Sequence, residues 1–320
     1  MKEFYIGQLR TDDEIQDFFM VKAIAIKVGS NKKQYLDMVL SDKTGELTAK
    51  KWDVADPELP AINEIAAGDV VKLKGTITEW SGMRQIRVLK LRKSVPEDKL
   101  ELADFIKAAP EKAEDMYLFI LEKAGEMADE DLKKLCVRLL GDHEEKLLYY
   151  PAAAKNHHAE LAGLLYHMKR MLMTGERVCE VYRNLNRDMV IAGVIIHDME
   201  KLNEIEADTL GMASGYSFEG QLLGHLVQGI KSIDRLAEEL GIGKEKTVML
   251  EHMILSHHYE PEFGSPKKPL FPEAEILHYL DMIDARMYDM QEALDATLPG
   301  EFSDKVWTLD NRKLYKPETF

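Results

Sequence analysis

Seven residues able to bind divalent metals recur in the second half of the chain, in the order His167, His197-Asp198, His225, His257-His258 and Asp281. The adjacent histidine and aspartate are the informative part, because a hard carboxylate can bridge two metal ions while imidazoles complete each shell. The predicted chemistry is metal-assisted hydrolysis of a phosphate ester, with water as the nucleophile. No Ser-His-Asp arrangement or Gly-rich phosphate loop is evident in the sequence. Imidazole and carboxylate without thiolate suit Mn²⁺, Fe²⁺, Co²⁺ or Zn²⁺, with Mg²⁺ a further candidate.

Helices and their ends must hold these residues. Residues 188–198 form a nearly all-apolar stretch, predicting a central helix that delivers His197 and Asp198 at its C-terminal side. A buried aspartate is costly unless it is paired or on a metal. Lys201 follows His197 by four residues, on the same helical face, where its ammonium could hold a substrate phosphate; the alternative is a solvent-facing salt-bridge partner. Residues 114–127, 130–140 and 161–173 repeat the helical spacing, the first two with acidic outer faces, and no β-rich run of comparable length returns after residue 100. His157 and His158 are poorly placed to share the face of His167, so a supporting and a structural role are equally open. His252 and His278 read as supporting or packing residues, and His143 as a surface residue.

The first part of the chain reads as β-structure. Runs at 18–26, 34–40, 46–52, 69–79 and 85–91 are separated by turn signals, among them residues 41–45 and Ser81-Gly82, with a short helical insert near 62–65. Five short strands with an insert between the third and fourth is the layout of a small Greek-key barrel. Residues 16–93 resemble an OB-fold. Such barrels bind single strands when a basic groove is combined with exposed aromatics on which bases stack. The candidates are Tyr35, Trp52 and Trp80, with Lys50, Lys51, Arg84 and Arg87. Each aromatic alone reads better as a core or rim packing residue, so only the group carries the expectation.

The length of 320 residues suits two domains, placed at 1–95 and 96–320 with residues 94–98 as the linker. The net charge of −15 divides unevenly: residues 1–95 carry +2 and the remainder −17, and seven basic residues against one acid fall between Lys72 and Lys93. Such a patch could attract a phosphate backbone. Cys136 and Cys179 lack a CxxC partner and read as reduced, buried thiols. The longest apolar run, 189–196, falls far short of the roughly 20 residues that span a bilayer, and the first residues lack the build of a secretory signal. A cytoplasmic protein without a membrane partner is expected.

The ordered His and Asp set resembles that of HD-domain metal-dependent phosphohydrolases, with His225 and His257-His258 matching the extra histidines of binuclear members. The flanks narrow this further: His157-His158-Ala159, Gly163-Leu164-Leu165-Tyr166-His167, Glu219-Gly220-Gln221-Leu222-Leu223-Gly224-His225, Met253-Ile254-Leu255-Ser256-His257-His258 and Gly264-Ser265-Pro266. With the OB-like segment they resemble the YhaM family of bacterial 3′-to-5′ exoribonucleases over roughly residues 15–300. The resemblance implies a multidomain chain, an all-β OB-fold barrel followed by an all-α HD domain. It implies His167, His197, Asp198 and Asp281 around one ion, and His225, His257 and His258 with the bridging Asp198 around the other. Mn²⁺ as the metal, Asp198 and Lys201 as catalytic residues, and single-stranded RNA as substrate, with single-stranded DNA the alternative, are implied likewise. The departure is Glu200, where the family pattern has a glycine before its lysine. Rival readings are a cyclic-dinucleotide phosphodiesterase, although the Gly-Tyr-Pro expected beyond the His-His pair is missing, a nucleotide phosphohydrolase, and a non-catalytic nucleic-acid binder with a structural metal. A homo-oligomer would raise the effective concentration of barrels for one strand. The last 20 residues carry no motif.

Overall fold

The computed structural model describes residues 2–29, 33–80, 83–101, 104–154 and 158–319; His157, Ser30 and the Ser81-Gly82 turn lie outside them. The chain separates into two compact units, Met1–Ala108 and Ala109–Phe320.

In the first unit, β1 (Glu14–Val28), β2 (Gln34–Asp42), β3 (Gly45–Lys51), the short helix α1 (Leu59–Asn63), β4 (Val70–Trp80) and β5 (Met83–Lys93) follow in order. The strands close a barrel in the order β1-β2-β3-β5-β4. One long strand makes closure possible: the first half of β1 pairs with β4 and the second half with β2, with a register shift at Val21/Ala23 where the partners change. Such irregularities bend a strand around a barrel corner. The interior takes alternate residues, including Phe19, Leu36, Met38, Leu40, Ala49, Leu73, Ile77 and Ile86. The barrel's parallel seam joins β3 to β5, with Thr48 opposite Gln85 and Lys50 opposite Arg87. Residues 96–98 form a 3-10 turn tied back to β5 by the Arg92–Asp98 pair at 2.7 Å.

The second unit contains α2 (Ala113–Gly125), α3 (Glu130–Leu147), α4 (Gly163–Val181), α5 (Arg187–Ile196), α6 (Lys201–Glu204), β6 (Ile205–Ala207), β7 (Ala213–Tyr216), α7 (Phe218–Leu240), α8 (Lys244–Ser256) and α9 (Pro272–Asp295). Helix α5 is the centre: every residue from Met189 to Ile196 is buried. Its start is fixed by the Asn186 side chain, which accepts from the Met189 amide at 3.2 Å. The helix stops at Ile196, so Lys201 shares no continuous helical face with His197; it opens α6 after a turn. The β6-β7 hairpin was not expected, being too short to show a β pattern in sequence. After α9, residues 300–316 fold back on themselves through bridges at Phe302–Tyr315 and Val306–Arg312, with Leu309 buried.

Cys136 is buried and Cys179 half-buried, both free thiols, and burial pushes each thiol upward in pKa. Among the described residues no helix is long and apolar enough to cross a membrane.

Candidate metal centre

Five helices bring the His and Asp series together: α4 carries His167, the end of α5 His197 and Asp198, α7 His225, the end of α8 His257 and His258, and α9 Asp281. The two oxygens of Asp198 divide the histidines between them. On the Oδ2 side lie His167 Nε2 at 3.8 Å and His197 Nε2 at 3.4 Å, and His167 Nε2 is also 3.4 Å from Asp281 Oδ1. On the Oδ1 side lie His225 Nε2 at 3.5 Å and His257 Nε2 at 3.7 Å. Ligand atoms of Asp198, His225, His257 and His258 fall within 4.8 Å of one another, as do those of His167, His197 and Asp198. Two ligands bound 2.0–2.2 Å from one ion stand about 3.0–3.5 Å apart. The observed spacings are therefore close to those of a metal shell and long for hydrogen bonds.

The outer nitrogens explain why the inner ones are available. His197 Nδ1 donates to the Val194 carbonyl at 2.9 Å, His257 Nδ1 to Ile254 at 2.8 Å and His258 Nδ1 to Phe263 at 2.7 Å. His225 Nδ1 donates to Glu204 Oε2 at 2.9 Å, and His167 Nδ1 to Asp284 Oδ2 at 2.7 Å. A carbonyl oxygen can only accept, so in the first three the Nδ1 proton is fixed and Nε2 is the nitrogen left to act as a ligand. The Nε2 atoms of His197, His225 and His257, with Asp198 Oδ1, are buried and have no hydrogen-bond partner among the described residues. Buried acceptors left unsatisfied cost about 1–3 kcal/mol each. Four such acceptors, each histidine nitrogen within 3.7 Å of one or other oxygen of Asp198, fit a site for divalent cations.

The local charges agree with this fit. Burial, followed by the neighbouring His258 and His197, holds His257 well below the usual imidazole range; burial and His225 lower His258. Burial would raise the Asp198 carboxyl, but Lys201, His197 and His225 outweigh it and hold it well below the carboxylate range. Burial would likewise lower Lys201, and Asp198 outweighs it, 2.6 Å away. Lys201 is thus paired rather than free: its side chain, 12% exposed, lies against the shared carboxylate. For His167, burial works downward while Asp281 and Asp284 lift it to about 9, so a metal bound there would have to displace a proton.

Asp284, which has no mark of its own in the sequence, is the main support of His167. It receives His167 Nδ1 and His158 Nε2 at 2.7 Å each, and Arg170 Nε at 2.6 Å. His158 is therefore a buried supporting residue. The only sequence signal for Asp284 was its place three residues after Asp281 on one helix, a spacing common on any helix. Replacing Asp284 with Asn is expected to weaken divalent-metal affinity about 10- to 100-fold, measured by titration calorimetry.

His225 depends on two glycines. Gly224 has φ 67° and ψ 164°, a break inside α7 immediately before the ligand, in a region essentially reserved for glycine. Gly220 sits so close to α6 that an added Cβ would lie 2.3 Å from the carbonyl oxygen of Glu204, the residue that anchors His225. Gly224→Ala is expected to cost about 1–3 kcal/mol in stability and to weaken metal binding, read by thermal melts with and without Mn²⁺. Glu200, the departure from the family pattern, is buried, accepts from Asn203 at 2.6 Å and joins none of the ligand groups. His278 Nδ1 donates to the His257 carbonyl at 2.7 Å, and His252 accepts from the Leu270 amide. His143 is half-buried on α3, which corrects its expected surface position.

On the barrel, Tyr35 and Trp52 stack with ring centroids 4.7 Å apart, and Lys50 lies about 6 Å over both. Lys50, Trp52 and Arg87 line one cavity of about 310 Å³. Two expected contacts leave this group. Lys51 alternates inward from Lys50, is buried, and bonds Glu58 at 2.9 Å. Arg84 donates to the Leu9 carbonyl. Trp80 stands exposed at the end of β4, opposite Met83.

Residues 164–286 match the family model described as HD domain. That span contains every residue of the His and Asp series. The chain is thus an N-terminal five-stranded barrel of OB-fold type followed by a helical region containing an HD domain. Among solved structures, the second OB-fold domain of replication protein A from Methanococcus maripaludis is 18% identical, covering 31% of this chain and 98% of that one, at a TM-score of 0.24. A replication protein A heterotrimer bound to ssDNA is 18% identical over 30% of this chain and 69% of that one, at 0.23. Asparaginyl-tRNA synthetase from Pyrococcus horikoshii is 18% identical over 46% and 36%, at 0.24. These likenesses are too slight to bear on function.

Proposed function

We propose that the protein is a metal-dependent phosphodiesterase that shortens single-stranded RNA from its 3′ end, as YhaM-type exoribonucleases do, with single-stranded DNA a second substrate of the same chemistry. The observation that carries the reading is the division of Asp198, one oxygen toward His167 and His197 and the other toward His225 and His257. His167, His197, Asp198 and Asp281 would hold one divalent ion, and Asp198, His225, His257 and His258 a second, with Mn²⁺ the expected metal. When bound, such ions polarise phosphoryl oxygens and bring the pKa of a water near neutrality.

The chain's own groups do the rest. Lys201 lines the cavity above the centre, where its ammonium can offset charge on the phosphoryl group as the leaving oxygen departs. With His257 and His258 held neutral by burial, the fixed charge of the site lies on its carboxylates, on Lys201 and, until a metal displaces its proton, on His167. The barrel contributes Tyr35, Trp52, Lys50 and Arg87 as the face that holds a strand. A protein of this kind works in the cytoplasm, and a homo-oligomer would gather several such faces.

The test is a 5′-labelled single-stranded RNA incubated with the protein and Mn²⁺. A ladder shortening from the 3′ end is the expected result. Intact RNA alongside hydrolysed mononucleotides or cyclic dinucleotides would replace the reading with one of the rival hydrolases.

A further inference from the structure

The cavity over the metal centre has a volume of about 540 Å³ and is lined by Lys201, His225, His257, His258 and Asp281 at its floor. Three aromatic residues from separate segments line the same cavity: Tyr216, Phe263 and Trp307. They are 48%, 71% and 69% exposed. Single exposed aromatics are ordinary on a protein surface; three around one polar cavity are not a scatter.

Each aromatic is tied to an element that carries or supports a ligand. Tyr216 on β7 pairs with Ile205, next to Glu204, which anchors His225. The Phe263 carbonyl receives His258 Nδ1 at 2.7 Å. Trp307 belongs to the C-terminal loop, which contained no sequence motif, yet that loop is firmly set. Leu309 is buried, Asp310 pairs with Arg286 of α9 at 2.8 Å, and Lys316 Nζ donates to the carbonyls of Leu294 and Thr297 at the end of α9. Helix α9 also carries Asp281. An aromatic carried on an anchored stretch of backbone beside a polar, charged lining offers a flat face to a ring, and an aromatic side chain has few torsions to immobilise.

We propose that Trp307, with Tyr216 and Phe263, forms a nucleobase-stacking site at the mouth of the metal cavity, so that the base and the phosphate of one nucleotide are gripped together. This rests on the reading of the metal centre as a phosphoryl site, and it makes the C-terminal loop part of substrate recognition. The polar floor and the aromatic rim match the two halves of a nucleotide, and base–aromatic stacking tolerates any base.

The test uses the full chain with Mn²⁺ and two ligands, adenosine 5′-monophosphate and ribose 5-phosphate, which share a phosphate and sugar and differ in the base. In a variant carrying Trp52→Phe and Trp80→Phe, Trp307 is the sole tryptophan. Its fluorescence is expected to be quenched by adenosine 5′-monophosphate and left unchanged by ribose 5-phosphate. By calorimetry, Trp307→Ala should bind adenosine 5′-monophosphate about 5- to 150-fold more weakly, bind ribose 5-phosphate as before, and be largely rescued by Trp307→Phe. Equal affinity of the unaltered protein for the two ligands, or a base preference that survives Trp307→Ala, would overturn the proposal. Strand cleavage reports separately: a base preference with intact labelled RNA retires the exonuclease reading alone, and strand shortening without a base preference retires the stacking site alone.

Discussion

Replacing Asp198 with Asn is expected to lower phosphodiester hydrolysis by about 10³-fold or more, the loss of roughly 4 kcal/mol of transition-state stabilisation that metal-assisted chemistry supplies. The physical reason is that one carboxylate faces both histidine groups, so a neutral amide weakens both at once. The substitution has a second consequence. Lys201 is almost wholly inside the protein and faces Asp198 at 2.6 Å, and leaving a buried charge without its partner costs about 3–5 kcal/mol. The Asp198→Asn variant should therefore melt at a lower temperature. The double variant Asp198→Asn with Lys201→Met should recover most of the melting temperature, while its activity should lie far below that of Lys201→Met alone, which removes the same ammonium. Activity equal to that of Lys201→Met alone would mean that the Asp198→Asn variant was inactive because it was unfolded, and that Asp198 is not the shared ligand. Manganese gives an independent reading. At about 100 times its dissociation constant it should stabilise the unaltered protein by about 2.7 kcal/mol for each site filled, and it should give the double variant far less.

Removing the barrel's stacking face is expected to have the second-largest effect, and on a different measurement. Trp52→Ala together with Lys50→Ala and Arg87→Ala should weaken binding of a single-stranded RNA about 100-fold or more at moderate salt, since stacking contributes about 1–3 kcal/mol per base and each phosphate contact adds a salt-dependent increment. The slope of log affinity against log salt should flatten by roughly 1–2. Hydrolysis of a small phosphodiester should be unchanged, because none of these residues lines the metal cavity. Equal losses on polymer and small substrate would count against the barrel as the strand-holding element. Lys51→Ala and Arg84→Ala provide the contrast: their cations are spent on Glu58 and on the Leu9 carbonyl, so they should affect stability more than the salt slope.

Much of this organisation was legible in the chain itself. The switch from period-two alternation to helical spacing near residue 100 marks the change from barrel to helices, because each periodicity buries one face only in its own secondary structure. The seven candidate ligands could be read as a set because metal chemistry restricts residue types strongly, and the structure brings them together around Asp198. An apolar run such as 189–196 announces a central helix, and an ionisable pair at its end announces a function.

What the sequence left open is what depends on contacts between distant segments. Lys50 and Lys51 are chemically identical neighbours, and only the closure of β3 against β5 decides that Lys50 meets Arg87 while Lys51 turns inward to Glu58. Asp284 has no special neighbour in sequence, yet the crossing of α4 and α9 makes it the anchor of His167. Trp307 lies in a loop without periodicity, and its place at the cavity follows from a buried leucine and one ion pair to α9. The division follows from the range of the forces. Backbone geometry and coordination chemistry act through local spacing and residue type, which the chain states directly, whereas the direction of a side chain and the partner it meets are fixed by packing across the fold.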